Sequence, residues 1–207
     1  VRRQRQMCIR DRLDAYALIY RGYYAFIKNP RINSKGTDTS AILGFMNSLL
    51  EIIRTQNPDY IAVAFDKGGS ITRSEMFTEY KSNRDKTPEP ILVAIPYIKE
   101  ILNSMNISIL EKEGYEADDI IGTVAKDAEK NNFKVYMVTP DKDFAQLVSD
   151  NIFLCKPARM GNSMEIWGVD EVKERFEVDS PEQVIDYLGM MGDSVDNIPG
   201  IPGVGDK

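Results

Sequence analysis

Short apolar runs alternate with amphipathic stretches along the chain, and this alternation predicts an α/β fold with a mostly parallel central sheet flanked by helices. Apolar residues at helical spacing, such as Ile42, Phe45, Leu49 and Ile53, predict helices, whereas compact apolar runs predict buried strands. The predicted helices cover residues 39–54, 90–105, 117–130, 143–148 and 181–191. The predicted strands cover residues 60–65, 107–110, 134–139 and 152–155.

The first dozen residues, VRRQRQMCIRDR, break this pattern. They are strongly basic, follow neither the helical nor the strand period, and lead into LDAYALIY without a turn. We interpret residues 1–12 as a cloning or sequence-assembly scar that stands in place of a native opening strand, and a native basic arm is the alternative.

Carboxylates stand in short groups at the ends of the apolar runs. Several follow predicted strands directly, and the EADD group falls at the start of a predicted helix. Because ligands collect outside the carboxyl ends of parallel strands, we expect these groups to converge on one edge of the sheet. Carboxylates crowded in this way repel one another, and a hard divalent cation such as Mg²⁺ or Mn²⁺ is the simplest compensation. The nine carboxylates are Asp14, Asp66, Glu116, Asp118, Asp119, Asp141, Asp143, Asp193 and Asp196.

Each group taken alone also has a structural explanation. An aspartate after a strand commonly caps a helix or forms a turn, and acids at a helix start favour the helix dipole. The two acids of GDSVDN are three residues apart and can share a solvated helical face. The metal site is favoured because all the groups share the topology that such a site requires.

Composition removes several classes of chemistry. With 207 residues and 43% hydrophobic content the chain can bury a core, and it has no histidine and only two cysteines, Cys8 and Cys155. The usual zinc sites, Ser-His-Asp and Cys-His catalysis and a disulfide framework are therefore excluded. The sequence shows no apolar run near the ~20 residues needed to cross a bilayer, so a cytoplasmic location without membrane contact is expected.

A nucleic-acid partner is compatible with the net charge of −6, because the acids are clustered and the rest of the chain is mildly basic. Residues 67–90, here the basic segment, combine cations with aromatic rings. If the middle of the basic segment is helical, these side chains form one face suited to phosphates and unstacked bases. An exposed amphipathic loop is the alternative. The residues concerned are Arg73, Phe77, Tyr80, Lys81 and Arg84.

The last residues, NIPGIPGVGDK, form a turn rich in proline and glycine. Exposed amides in such a turn can form an anion-binding nest that a following helix would complete. Because the sequence ends at Lys207 before such a helix, we interpret the chain as a fragment.

Five segments in this order resemble the 5′-nuclease domains of bacterial DNA polymerase I, within the wider flap-endonuclease family. They are LDAYALIYR, AFDKGGSITRSEMFTEYKSNR, GYEADDIIGTVA, TPDKDFAQLV and GDSVDNIPGIPGVGDK. The resemblance implies a PIN-like 5′-nuclease fold with a catalytic domain over residues 13–180. It also implies that the basic segment is a helical arch and that residues 181–207 are an incomplete helix-hairpin-helix.

The resemblance further implies that the protein hydrolyses phosphodiesters of DNA or of RNA primers near 5′ ends, at flaps or nicks. We expect it to act as a monomer. The nine carboxylates would surround two or more Mg²⁺ or Mn²⁺ ions, and the hairpin would hold K⁺. A polymerase domain would be a partner where the parent chain carries one. The catalytic cations would be Arg21, Arg73, Lys81 and Arg84, and the other DNA contacts Phe77, Tyr80, Gly200, Gly203, Gly205 and Lys207.

Two further functions stay open at this point. A DNA-structure-binding module without catalysis would keep the basic segment and the hairpin. An aspartate-based phosphatase would use the strand-terminal Asp66 as its nucleophile and would form a phosphoaspartate.

Overall fold

Six strands form a single sheet at the centre of the protein, in a computed structural model that describes residues 9–157 and 164–205. The strands are β1 (Ile9–Asp14), β2 (Tyr60–Ala64), β3 (Ser108–Leu110), β4 (Lys134–Val138), β5 (Ile152–Lys156) and β6 (Glu165–Trp167). Their order across the sheet is β3-β2-β1-β4-β5-β6. All neighbouring pairs are parallel except β5 and β6, so the carboxyl ends of β2, β1 and β4 lie side by side.

Helices cover both faces of this sheet. Two 3₁₀ helices, Lys142–Leu147 and Pro181–Gln183, accompany them. The α-helices are α1 (Ala15–Ala25), α2 (Ser40–Gln56), α3 (Ile71–Met76), α4 (Glu89–Ser104), α5 (Ala117–Lys130), α6 (Val169–Phe176) and α7 (Val184–Met191). Within the parts of the chain that the structure describes, no helix combines the length and the apolar character needed to cross a membrane.

The strands divide the buried apolar side chains into two cores. Consecutive residues of β4 show this, because Val138 packs with α1, α2 and α4 while Met137 packs with α5, α6 and α7. The alternation follows from the pleat of a strand, which directs successive side chains to opposite faces of the sheet. A strand covered by helices on both faces has to be apolar on both, and the runs at residues 60–65 and 134–139 meet that requirement.

The predicted α/β architecture with a mostly parallel sheet is confirmed. The predicted strands match β2 to β5 within one residue at each end, and the prediction for α5 is correct at both ends. The region 181–191, predicted as one helix, is a 3₁₀ turn followed by α7. Three elements had no prediction, namely α1, β6 and α6.

The opening strand is present in spite of its charged sequence. The backbone of β1 pairs with β2 on one side and with β4 on the other, which places β1 at the centre of the sheet. Backbone ladders do not depend on side-chain polarity, so this pairing is compatible with the sequence CIRDRL. That residues 1–12 are not native stays a prediction, and residues 1–8 lie outside the described part of the chain.

The helical face predicted for the basic segment is wrong. Helix α3 ends at Met76, Phe77 is extended with φ −143°, and Lys81 has the left-handed φ of 56°. The segment beyond α3 is instead fixed by a distant loop, since the Lys81 amide donates to the Asp196 carbonyl at 3.0 Å. The five cationic and aromatic side chains therefore do not form one helical stripe.

Helices α1 and α2 approach each other closely through two glycines. A Cβ atom on Gly44 would lie 2.2 Å from the Cα atom of Gly22, and one on Gly22 would lie 2.9 Å from the Cα atom of Gly44. Both contacts are backbone contacts, so a side chain at either position would push the helices apart. This approach fixes α1, which begins directly after Asp14.

We expect Gly44→Ala to lower the free energy of unfolding by about 1–3 kcal/mol, because overpacking at a backbone contact has no flexible side chain to relieve it. Urea unfolding followed by circular dichroism measures this change. The matched control is Gly189→Ala in α7, where a Cβ would meet nothing within 4 Å. That control should gain about 0.5–1 kcal/mol from reduced chain entropy, and equal effects of the two variants would contradict the close approach.

Candidate active site

The acidic groups converge on one cavity at the carboxyl ends of the central strands. The cavity has a volume of about 1090 Å³, and seven of the nine predicted acids line it together with cations and rings of the basic segment. The acids are Glu116, Asp118, Asp119, Asp141, Asp143, Asp193 and Asp196; the residues from the basic segment include Arg73, Phe77, Tyr80 and Arg84.

Several of the acids also cap the elements that follow them. The Asp14 carboxylate accepts from the Ala17 amide at 3.1 Å, and that of Asp141 accepts from the Asp143 amide at 2.9 Å. Asp66 accepts from the Ala117 amide at 2.6 Å, which ties the end of β2 to the start of α5. These aspartates thus accept hydrogen bonds from backbone amides, as the structural explanation expects. The same bonds orient the carboxylates, so they are compatible with a metal site.

Asp118 is at the centre of the first group of acids. Burial, and after it the charges of Asp14, Asp141, Asp66 and Glu116 in that order, together raise the pKa of Asp118 to about 8. Burial also raises the pKa of Asp14 to about 6, against the hydrogen bond from Ala17. These mutual effects show that acids from three strand ends and the start of α5 act on one another at short range.

A second group of acids surrounds Asp143. Burial, and after it the charges of Asp141, Asp193 and Asp196, together raise the pKa of Asp143 to about 6, against the opposing charge of Lys142. Asp141 acts in both groups. The cavity therefore contains two carboxylate groups that share one member.

Cations of the basic segment neutralise the outer acids. Arg73 donates to both oxygens of Asp119, at 2.8 and 2.7 Å, and this pairing lowers the pKa of Asp119. The Lys81 ammonium lies 2.8 Å from Glu116, and Arg84 pairs with Asp196. The predicted catalytic cations Arg73, Lys81 and Arg84 are therefore at the acidic cavity.

The acids are not assembled as a finished ligand set. Among residues 9–157 and 164–205, no three acidic side chains stand close enough to hold one metal ion as they are. Oxygens of Glu116, Asp119 and Asp196 are engaged by cations, and those of Asp14 and Asp66 by amides. The donors of this site are all oxygens, they are crowded, and some have no cationic partner. They suit a hard divalent ion, which would replace some of the contacts with cations and amides.

Four described residues of the prediction, Arg21, Gly200, Gly203 and Gly205, do not line the acidic cavity. Arg21 lines a second, smaller cavity of about 230 Å³ formed with α2 residues, and not the acidic one. Gly200 has a packing role, because a Cβ there would lie 2.1 Å from the Met191 carbonyl oxygen. Gly203 needs its left-handed φ of 85°, and Lys207 lies outside the described residues. Their contacts with DNA stay predictions.

The sequence reasoning missed three polar residues at the site. Thr139, fully buried, donates its hydroxyl to Asp14 at 3.2 Å and accepts from the Asp141 amide at 3.2 Å, so it joins two strand ends. Asn83 and Asn197 donate to backbone carbonyls across the cavity rim. A signal was available for Thr139, which directly precedes the PDKD run, and for Asn197, which ends GDSVDN.

The fold and the site define an α/β domain with an acidic cavity at the carboxyl edge of a parallel sheet. The chain belongs to the 5′-3′ exonuclease family. Residues 12–177 match the 5′-3′ exonuclease N-terminal resolvase-like domain, and residues 179–207 match the 5′-3′ exonuclease C-terminal SAM fold.

Two curated relatives illustrate the similarity. The chain is 42% identical over 196 residues to DNA polymerase I of Bacillus subtilis, covering 94% of this chain and 22% of that protein. It is 41% identical over 195 residues to a 5′-3′ exonuclease of Aquifex aeolicus, covering 94% of this chain and 65% of that protein. The chain thus spans about a fifth of the first relative and less than two thirds of the second.

Solved structures share the fold at lower sequence identity. T5 5′-exonuclease with bound zinc has a TM-score of 0.73 at 23% identity, covering 95% of this chain and 71% of that chain. The bacteriophage T5 flap endonuclease in a complex with DNA and metal ions has a TM-score of 0.72 at 22% identity, with the same coverage of 95% and 71%. Divalent metal ions are therefore present in structures of similar fold.

Metal-free protein should lose stability as the pH rises from about 5 to about 8. Because the pKa of Asp118 is raised to about 8, the folded state holds this proton up to about pH 8, whereas an unfolded aspartate releases it near its ordinary pKa of 3.8. Between these values the folded state binds more protons, so the free energy of unfolding falls with increasing pH. Urea unfolding in EDTA across this range measures the slope.

Asp118→Asn should reduce that slope, most clearly above about pH 6, where the raised pKa values of Asp14 and Asp143 contribute little, and should stabilise the metal-free protein at pH 8. The control is Asp127→Asn, at an exposed position on the same helix, which should keep the wild-type slope. An unchanged slope in Asp118→Asn would show that Asp118 does not carry the effect.

Proposed function

We propose that this chain is a metal-dependent 5′ nuclease that hydrolyses phosphodiesters near 5′ ends, at flaps, nicks and RNA primers. The observation that carries the proposal is the cavity lined by seven carboxylates together with Arg73 and Arg84, with Lys81 paired to Glu116 at its wall. Membership of the 5′-3′ exonuclease family and the DNA and metal ions in the T5 complex support it. Because the proposed substrate is DNA or an RNA primer on DNA, we also propose a cytoplasmic location.

Two divalent ions, Mg²⁺ or Mn²⁺, fit the two carboxylate groups. Asp14, Asp66, Glu116, Asp118 and Asp141 would hold one ion, and Asp141, Asp143, Asp193 and Asp196 the other. Ions bound in this way supply an activated water at neutral pH and stabilise the charge that develops on the phosphate oxygens. Asp119 would contribute at the start of α5, where it also holds Arg73.

The basic segment would bind the strand and stabilise the transferred phosphate. Lys81 and Arg84 are counter-charges of Glu116 and Asp196, and the same cations would face a phosphate bound at the acidic cavity. Each such donor typically contributes about 3 kcal/mol to the transition state. Arg73 would contact the phosphate backbone, and the half-buried rings of Phe77 and Tyr80 offer faces for unstacked bases.

The remaining contacts belong to the duplex. The exposed turn over residues 201–205 would grip its backbone with K⁺ bound at the hairpin, and Gly203, Gly205 and Lys207 would take part. Arg21 would act beside the scissile region from its position on α1. We propose a monomer, with a polymerase domain as its partner where the parent chain carries one.

Asp118→Ala should lower cleavage of a 5′-labelled flap duplex by more than about 100-fold, since even outer-shell partners of metal ligands contribute about 10- to 100-fold. Cleavage is measured with Mg²⁺, Mn²⁺ or EDTA, and DNA binding is titrated in parallel. Binding should stay near wild type because the cations of the basic segment remain. Asp127→Ala on the same helix is the matched control.

The outcomes separate the alternatives. Normal turnover by Asp118→Ala would contradict the nuclease assignment. DNA binding without any metal-dependent cleavage by the folded wild type would favour the non-catalytic binding module. A trapped phosphoaspartate at Asp66 would favour the phosphatase.

Lys81→Ala should lower the single-turnover rate constant of cleavage by about 100-fold while DNA affinity changes little, because a transition-state donor affects the chemical step. Lys86→Ala, at an exposed position in the same segment, is the control and should keep the wild-type rate. A change confined to affinity would show that Lys81 only binds DNA.

A further inference from the structure

Two asparagines join segments that are more than a hundred residues apart. The Asn197 side-chain amide donates to the Glu79 carbonyl at 2.9 Å and to the Ser82 hydroxyl at 3.3 Å. In the opposite direction, the Asn83 amide donates to the Ser194 carbonyl at 2.8 Å. These contacts flank the backbone bond from the Lys81 amide to the Asp196 carbonyl.

We propose that Asn197 and Asn83 are positioning residues, which clamp the 79–84 segment onto the 193–197 loop and so place Lys81 and Arg84 over the scissile phosphate. The inference rests on the proposed function. We refer to this pair of side chains and their hydrogen bonds as the asparagine clamp.

The backbone on both sides of the clamp is held in an uncommon conformation. Lys81 has φ 56° and Asn197 has φ 59°, in the left-handed region. Asparagine tolerates this region, but for a lysine it is unfavourable, and such a conformation persists only where its surroundings fix it. The clamp supplies that constraint from both ends of the 79–84 segment.

Local backbone bonds within the basic segment hold Lys81 only weakly. Helix α3 ends at Met76, and the chain from residue 77 to residue 84 continues as a series of turns. Its local backbone bonds include Tyr80 to Phe77 and Arg84 to Lys81, each spanning three residues. Single turns of this kind are weak without tertiary contacts, so long-range contacts fix the segment. At the level of the backbone these are the bonds to the 193–197 loop, and the side chains of Lys81 and Tyr80 add contacts with Glu116.

The clamp connects the cations directly to the acidic cavity. Asp196 accepts from the Lys81 amide through its carbonyl and pairs with Arg84 through its carboxylate. The Lys81 ammonium lies 2.8 Å from Glu116. Because neither asparagine belongs to the carboxylate groups, removing the clamp should displace the cations without removing an acid.

Asn197→Gly tests the clamp, because glycine keeps the left-handed backbone and removes the side-chain amide. We expect kcat for flap cleavage to fall about 10- to 100-fold, the range that small misplacements of a catalytic group produce. Hydrogen exchange of peptides covering residues 79–84 should become faster in the metal-free protein. Asn106→Gly, at another left-handed asparagine with φ 57°, is the matched control and should leave both readouts unchanged.

A second background shows through which residues the clamp acts. In Lys81→Ala/Arg84→Ala protein, Asn197→Gly should lower the remaining rate by less than about threefold, because both cations that the clamp positions are already absent. A full loss in that background would overturn the proposal, and so would wild-type exchange and kcat in Asn197→Gly. A folded wild type that does not cleave flap DNA would refute the proposed nuclease and this inference together, whereas a cleaving wild type with an unchanged Asn197→Gly refutes the clamp alone.

Discussion

Repulsion between carboxylates at the edge of the sheet is the constraint on which the rest of the structure depends. Parallel pairing of β2, β1 and β4 brings their carboxyl ends together, and Asp14, Asp66 and Asp141 come with them. The cost is visible at Asp118, whose pKa is raised to about 8 by burial and by its acidic neighbours. A sheet edge arranged only for stability would not bury so many like charges.

The structure compensates this repulsion with backbone amides and with cations. Amides of Ala17 and Ala117 donate to Asp14 and Asp66. The cations of the basic segment are different, because Arg73, Lys81 and Arg84 are on a short helix and a run of turns. Their ion pairs are partly exposed and therefore individually weak, which allows metal ions and phosphates to redistribute them.

The sequence predicts those features that are set by neighbouring residues. Helix α5 was predicted at both ends because EADD supplies its start and its apolar residues repeat at helical spacing. The convergence of the acids followed from parallel topology alone. The helical stripe in the basic segment failed because its geometry is set by Asn197 and Asp196, over a hundred residues away, and local spacing carries no information about them. Thr139 was missed for a related reason, since its role appears only when β1 and β4 are neighbours.

Asp141 takes part in both carboxylate groups, and this has a thermodynamic consequence. A positive charge bound by one group withdraws Asp141 from the repulsion in the other, so occupancy of the two groups is linked. Such a coupling free energy is reciprocal: each occupant changes the affinity for the other by the same factor. Binding of a cation by one group is therefore linked to binding by the other through Asp141.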